Sequence, residues 1–402
     1  MEKILEEEND FKNHFNYKDK NDYNYQYVKT ANNIYTEELK FNGLNIKGNN
    51  KCIYIKQIKI CFGTNYKKNE YMNILKEIYF LILLIIYEYL EKIDDILFLD
   101  ESNDNKRLFL IFKDNLIELS SLIYVCTLNK NKNKENDIII NYLDNKNLIK
   151  WIIYQIAFGL YTLHYNNIIH NDIKPSNILI NGEGGIKICI SCSMNYKGEK
   201  SNLYSICHAS PEFLNDENII RDEKSDMWAL GLIILELFLK TNNYLKINNK
   251  QSEEKEFNYK EENRKQLNLI LSKFGINENI SKEELNKIIN DDNSNKEYSI
   301  ILTKDEIEKI DDKYALDLIN NLLVLNKNKR YSAEQVLNSK YLEEYSECCR
   351  QLDLPNLNNN KCILDKENNY NNYFSSPITN KEQFEKVYNE LYSKLKELNK
   401  SN

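Results

Sequence analysis

An acid, a base and an amide lie within one short polar loop, His170–Asn177, with the sequence HNDIKPSN. Asp172 could accept a proton, Lys174 could contact a phosphate, and Asn177 could hold a metal ion. Phosphoryl transfer needs mainly a positioned hydroxyl and neutralised phosphate charge, and these groups could supply both. The same polar groups could instead only hold the loop in shape through hydrogen bonds. We keep both interpretations open.

The residues around the polar loop predict two regions of different secondary structure. The stretches YQYV, IYTEELKF, CIYIKQIKI and RLFLIF, all before Leu116, have the composition of short strands. An apolar helical stretch is predicted among them from Glu70 to Glu91. After Leu116 the stretches NLIKWIIYQIAFGLYTLHYNN and SDMWALGLIILELFLK carry apolar residues at helical spacing. A small strand-rich lobe followed by a larger helical lobe is therefore expected.

Composition shifts predict the boundaries of these regions. We expect a polar, mobile segment over 1–24, the small lobe over 25–115 and the large lobe over 116–350. Asn- and Lys-rich loop insertions are predicted near 129–136, 241–263 and 291–296. The extension 351–402 should contain a loose segment and an amphipathic helix over 380–399.

The charge balance argues against two classes of partner. The formal net charge is -7, and acidic and basic residues alternate along the chain. Neither nucleic acid nor an anionic membrane is therefore expected as a partner. The longest uncharged apolar run, 78–87, is shorter than the roughly 20 residues that span a bilayer. The acidic start lacks a signal-peptide core, so a soluble, cytoplasmic or nuclear protein is expected.

The nine cysteines of the chain are expected to be reduced thiols. One group, Cys189, Cys192, Cys207 and His208, could supply four zinc ligands. Small buried or loop cysteines explain the same spacing, and both readings stay open.

Ordered motifs around the polar loop resemble those of the eukaryotic protein kinases. QIAFGLYTLHYNNIIHNDIKPSNILI resembles the family's helix and catalytic loop, and HASPEFL resembles its A-P-E element. SDMWALGLIILEL is similar to its D-x-W-x-x-G helix, NKNKRYSAEQVL to the segment with its buried arginine, and IYIKQI to its V-A-I-K strand. The resemblance implies an α+β, bilobal protein-kinase fold. QLNLILSKFG and KEQFEKVYNELYSKLKEL are more similar to the mitogen-activated than to the cyclin-dependent Ser/Thr kinases.

The resemblance also implies roles for individual residues. It assigns Asp172, Lys174 and Asn177 to catalysis, with Asn177 as a metal ligand, and Ser205 to the substrate loop. It assigns nucleotide binding to Lys56, Glu77, Phe112 and Leu179, and structural roles to Glu212, Asp226 and Arg330. ATP and magnesium would be the cofactors of an active member, and a protein would be its substrate.

Several positions depart from the family pattern. The aspartate of D-F-G, which holds magnesium, falls on Ile190, and isoleucine cannot coordinate a hard cation. Glu199 is the nearest acid downstream. Asn171 replaces the arginine of H-R-D, which pairs with a phosphorylated activation segment, and Tyr54 replaces the alanine that faces adenine. Further departures are Ala31, Asn33 and Thr36 at the glycine-rich loop, Ser191 at the phenylalanine of D-F-G, and Lys200 and Asn202 at the T-x-Y positions.

Three hypotheses follow. The leading one is an inactive, pseudokinase-like protein that needs no cofactor and signals by binding proteins, through the groove beneath the activation segment or the C-terminal helix. The alternative is a divergent, active Ser/Thr kinase that transfers the γ-phosphate of ATP to a protein hydroxyl. The third is a switch segment stabilised by zinc.

Overall fold

The computed structural model describes fourteen stretches of the chain in two compact units. The described residues are 24–27, 36–46, 49–61, 70–100, 105–112, 116–128, 142–201, 203–246, 259–277, 280–290, 298–345, 373–374, 378 and 380–401. Described residues up to 61 and over 93–112 form the first unit, and all other described residues form the second.

The first unit is a five-stranded antiparallel sheet with the strand order β1-β2-β3-β5-β4. Its strands are β1 (Asn24–Tyr27), β2 (Thr36–Ile46), β3 (Asn49–Cys61), β4 (Ile93–Asp100) and β5 (Asn105–Phe112). Side chains alternate between the two faces of a strand, so Lys56, Ile58 and Ile60 share one face of β3. Both isoleucines are buried, whereas Lys56 is half-buried. This face of β3 therefore leads from an apolar core to the lysine.

The helix predicted over Glu70–Glu91 is shorter than expected, because α1 (Glu70–Leu83) ends eight residues earlier. Turns follow, and Leu90 then forms a parallel bridge with Ile188. An apolar run fits a buried helix and a buried strand equally well, so its composition could not fix this end. The same ambiguity hid strand β4, IDDILFLD, which the sequence analysis did not predict.

The second unit is mainly helical, as expected. Its first four helices are α2 (Leu119–Leu128), α3 (Lys146–Tyr165), α4 (Pro211–Asn215) and α5 (Glu223–Leu239). The two long ones, α3 and α5, organise the unit. The Asn145 side chain caps α3 by accepting backbone N–H bonds, and Asp222 caps α5 in the same way. Helix α5 is buried along nearly its whole length, and a Cβ at Gly231 would lie 2.8 Å from the Leu323 side chain. Close packing therefore requires glycine there.

Shorter elements complete the second unit. They are β6 (Ile117–Glu118), β7 (Ile168–Ile169), β8 (Ile178–Ile180), β9 (Ile186–Ile188), β10 (Asn195–Tyr196), α6 (Tyr259–Lys273), α7 (Lys282–Asn290), α8 (Lys304–Ile310), α9 (Lys313–Leu322) and α10 (Ala333–Leu337). Helix α6 corrects the loop insertion predicted over 241–263, whose last five residues are helical. The predicted insertions near 129–136 and 291–296, and the predicted mobile segment up to residue 23, lie outside the described residues.

The final helix, α11 (Lys381–Ser401), lies where the sequence predicts an amphipathic helix. It packs against α1: the ring of Phe384 is fully buried and meets the ring of Tyr71 edge-on, with the centroids 5.9 Å apart. Among the helices the structure describes, none is long and apolar enough to cross a membrane.

Candidate functional site

The polar loop lies between two short strands, and a side chain of helix α5 holds its backbone in place. Its residues follow β7, which pairs with β10, and precede β8, which pairs with β9. The Asp226 carboxylate of α5 accepts the backbone N–H groups of His170 and Asn171, each at 2.9 Å. Asn171 adopts a left-handed backbone conformation, with φ at 68°, which asparagine tolerates better than most residues. Asp226 thus braces the loop, as predicted.

A part-buried histidine, His164, and a buried one, His170, adjoin this carboxylate. His164 Nε2 lies 2.9 Å from Asp226 Oδ2. Burial opposes ionisation of Asp226, but its hydrogen bonds and the nearby histidines outweigh burial and hold its pKa below the usual value. Burial lowers the pKa of His170, which is therefore neutral at pH 7. His170 Nε2 lies 2.9 Å from the carbonyl of Cys189, and Nδ1 accepts the Asp172 N–H, so Nε2 carries the proton.

The structure brings Asp172, Lys174, Asn177 and Ser205 together. Lys174 Nζ lies 2.9 Å from Asp172 Oδ2 and donates to Ser205 Oγ at 2.7 Å. Asn177 Nδ2 donates to the backbone carbonyl of Asp172 at 2.7 Å and to its Oδ2 at 2.9 Å. The Asp172 oxygen Oδ2 therefore interacts with both Lys174 and Asn177.

The other oxygen of this carboxylate, Oδ1, is buried and accepts no hydrogen bond from any residue that the structure describes. Asp172 lines a cavity of about 20 Å³ together with Ser205, His208 and Arg221. A space of this size holds about one water molecule. The predicted proton acceptor thus keeps an oxygen that the fold does not use.

At the position of the missing metal ligand, Ile190 is 3% exposed and packs as an apolar core residue. Its backbone N–H donates to Glu91 Oε2 at 3.1 Å. Residues 89–91 pair with the end of β9, because Glu91 N donates to Ile188 O and Ile188 N donates to Tyr89 O. Glu91 is thus an acid beside Ile190, and its carboxylate serves as an acceptor for the backbone.

Sequence reasoning named Glu199 only as the nearest acid downstream and did not identify Glu91. Glu199 lies within electrostatic reach of Lys76, whose pKa is lowered by burial and raised in part by Glu199 and Cys192. Lys76 donates to Asn195 Oδ1 at 2.8 Å. The only sequence signal for Glu91 was a charge at the end of a long apolar stretch.

The remaining site residues are divided between the two units. Lys56 and Phe112 belong to the first unit, and Glu77 and Leu179 belong to the second. Their common role in binding a nucleotide stays a prediction. Strand β3 contains Tyr54, whose backbone pairs with Phe112, but its ring lies outside the described side chains. Of the other departures, Ala31, Asn33 and Asn202 also lie outside the described residues.

The described residues do not form the metal site of the zinc hypothesis. Within the described stretches, which include all four predicted ligands, no three His, Cys, Asp or Glu side chains could hold a metal ion together. His208 Nε2 is instead 3.2 Å from Glu236 Oε1 in a buried pair. Burial raises the pKa of Cys207, which favours the thiol over the metal-binding thiolate.

The predicted ion pair between Glu212 and Arg330 is present and buried. Arg330 Nη1 and Nη2 donate to the two oxygens of Glu212 at 2.9 and 3.0 Å. Burial opposes ionisation of Glu212, but the charge and hydrogen bonds of Arg330 keep its pKa below the usual value. Arg330 also lies 5.1 Å from the ring centre of Trp228. This pair joins α4 to the residues between α9 and α10.

A strand-rich unit, a helical unit and a braced loop bearing Asp172, Lys174 and Asn177 define a protein-kinase fold. Residues 46–342 match the protein kinase domain family, and the chain belongs to this family. The predicted α+β, bilobal fold and the likeness to mitogen-activated and cyclin-dependent Ser/Thr kinases are thereby confirmed.

Individual relatives match over part of their length. CTD kinase subunit alpha of Saccharomyces cerevisiae is 28% identical over 245 residues, which are 60% of this chain and 41% of that protein. Mitogen-activated protein kinase p38a of Drosophila melanogaster is 26% identical over 231 residues, 56% of this chain and 58% of that protein. Serine/threonine-protein kinase 4 homolog B of Dictyostelium discoideum is 36% identical over 102 residues, 25% of this chain and 9% of that protein.

Proposed function

We propose that this chain is a pseudokinase of the Ser/Thr, mitogen-activated-kinase-like type, which acts in signalling by binding proteins. One observation carries the proposal: the position of the metal-binding aspartate holds Ile190, whose side chain is buried. Its backbone N–H donates to Glu91 Oε2, which fixes the backbone just after β9. The apolar side chain is thus held in the core by packing and by a hydrogen bond.

The residues present do not fit a magnesium ion at this position. Magnesium demands near-octahedral oxygen ligands and is usually held through one or two carboxylates. The Ile190 side chain offers no oxygen, and the nearby Glu91 is buried and accepts the Ile190 N–H through Oε2. Asn177 can offer only a neutral amide oxygen, because its Nδ2 donates to Asp172. The proposed function therefore involves no metal–nucleotide complex.

A groove in the second unit supports the protein-binding part of the proposal. It lies between α6, α7 and the residues after α4, and its volume is about 670 Å³. Its apolar lining includes Leu214, Leu267, Leu271 and Leu285, and its polar lining includes Lys260, Arg264, Lys282, Asp216 and Glu217. Protein interfaces likewise combine apolar and polar side chains. We propose this groove as the protein-binding surface.

The first test is the melting temperature of the full chain with ATP, with and without magnesium. A ligand at a hundredfold excess over its Kd stabilises a fold by about 2.7 kcal/mol. We expect no increase in melting temperature at millimolar ATP and magnesium. A clear increase that requires magnesium would contradict the proposal.

The second candidate is an active, divergent Ser/Thr kinase, and one observation favours it. Asp172 Oδ1 is buried and makes no hydrogen bond within the described part of the chain, although Oδ2 is bound to Lys174 and Asn177. A proton acceptor needs such an uncommitted oxygen. Transfer of labelled γ-phosphate to a generic protein substrate, lost in Asp172→Asn, would establish this function in place of the first.

A further inference from the structure

Arg221 is a buried arginine with no role in the functions considered so far. It precedes α5 in the stretch IIRDEKSD, and only 7% of its surface is exposed. Arginine is rarely buried this deeply unless it is paired. Its partners therefore indicate what this guanidinium group does.

The partners of Arg221 are backbone carbonyl groups from two separate segments. Nη1 donates to the carbonyl of Asn171, in the polar loop, at 2.7 Å. Nη2 donates to the carbonyls of Ser201, at 3.1 Å, and of Leu203, at 2.7 Å. One side chain thus joins the polar loop to the stretch that contains Ser201 and Leu203–Ser205, which we call the tethered segment.

Two aromatic rings hold the guanidinium group between these carbonyls. The guanidinium carbon lies 4.5 Å from the ring centre of Phe213 and 5.6 Å from that of Tyr204. Cation–π contacts of this kind strengthen when water is excluded. Burial lowers the pKa of Arg221 to about 10, against the opposing charges of Asp226 and Asp172, so the group stays charged at neutral pH.

We propose that Arg221 is a positioning residue that holds the tethered segment against the polar loop without phosphorylation. The acceptors are backbone carbonyls, which are present whatever the modification state of the chain. The polar loop itself carries Asn171, whose Nδ2 donates to the carbonyl of Ser193 at 2.9 Å and offers no positive charge for a phosphate. These hydrogen bonds of Arg221, which we call the tether, keep Ser205 within hydrogen-bond distance of Lys174. The proposal does not depend on whether the chain transfers phosphate.

The tethered segment is also held by Tyr204, so a Tyr204 variant can be compared with an Arg221 variant. The Tyr204 hydroxyl and the Asn263 amide exchange hydrogen bonds of 2.8 and 3.0 Å. Tyr204→Phe removes these bonds and keeps the ring beneath Arg221. Arg221→Lys keeps the charge but loses the planar fork that reaches three carbonyls.

Hydrogen exchange of the full, phosphatase-treated chain, read in peptides over 197–206, tests the tether. Arg221→Lys should speed exchange there at least about tenfold, since one hydrogen bond to a charged group contributes at least that factor to an equilibrium. Tyr204→Phe should have a smaller effect. Lys304→Arg, at an exposed lysine in α8, is the matched control and should leave exchange unchanged.

Three outcomes would overturn the tether. The first is unchanged exchange in a folded Arg221→Lys variant, and the second is a larger effect of Tyr204→Phe. The third is faster exchange over 197–206 in the wild-type chain after phosphatase treatment than before it. This comparison tests the proposal even if the Arg221 variants fail to fold. A local change over 197–206 with unchanged exchange in α3 supports positioning over a general loss of stability.

Discussion

Replacing Ile190 with aspartate restores the residue type that the kinase pattern places there, and its effect on stability follows from the structure. The Ile190 side chain is 3% exposed, so its burial contributes roughly 1.5–3 kcal/mol that aspartate forfeits. The new carboxylate would be buried beside Glu91, whose Oε2 accepts the backbone N–H of residue 190. An uncompensated buried charge raises the loss in unfolding free energy to roughly 3–5 kcal/mol.

The pH dependence of this variant identifies the charge as the cause. Burial and the neighbouring Glu91 both raise the folded-state pKa of the introduced carboxyl group above its unfolded value of about 3.9. The charge penalty is therefore absent below that unfolded value, grows as the pH rises to the folded-state pKa, and is constant above it. Urea unfolding at pH 7 and pH 5 should show a smaller difference from wild type at pH 5.

Two control variants separate charge from packing. Ile190→Asn has nearly the same shape as the aspartate variant without the charge, and Ile190→Val should lose only about 0.5–1.5 kcal/mol. Adding Glu91→Gln to Ile190→Asp should recover part of the loss, because it removes the like charge. If Ile190→Asp is as stable as Ile190→Asn at pH 7, or if magnesium and ATP stabilise it strongly, the site can accommodate a metal carboxylate and our reasoning about it fails.

Three further predictions concern the frame around the site. Glu212→Gln should lower the free energy of unfolding by roughly 3–5 kcal/mol in urea titrations, because it leaves Arg330 charged and buried, and adding Arg330→Met should recover most of the loss. Because burial lowers the pKa of His170 below its unfolded value, melting temperatures should fall as the pH drops below about 6.5 and be insensitive to this group above it; a His170→Gln variant should lose that component. Phe384→Ala should cost roughly 3–5 kcal/mol and speed hydrogen exchange in α1, whereas the exposed-site control Glu382→Ala should change neither.

What could be predicted from the sequence was what local pattern determines. The residue types and spacing of Asp172, Lys174 and Asn177 predicted one polar loop, and the family likeness predicted that Glu212 and Arg330 would pair. Helical spacing likewise located α11. In each case the chemistry of the side chain itself carries the signal.

What could not be predicted depends on backbone partners and on ambiguous apolar runs. Arg221 binds three carbonyl groups, which every residue possesses, so no sequence signal marks its partners. Glu91 accepts a backbone N–H in the same way. The end of α1 at Leu83 falls inside an apolar run whose composition fits helix and strand alike. Spacing in sequence likewise did not bring Cys207 and His208 into one metal-binding group with the other two cysteines.

The polar groups of the site differ in whether folding alone requires them. Asp226 binds the polar loop and Glu212 binds Arg330, so removing either leaves buried groups without partners, whatever the chain does with phosphate. Ile190 likewise contributes to stability by apolar burial. Asp172 is the exception: one of its two oxygens is bound, and the other has no hydrogen bond among the described residues. A structural role accounts for Oδ2 of Asp172 but not for Oδ1. Asp172 is therefore the residue at which a purely structural role of the loop can be distinguished from a remaining chemical role.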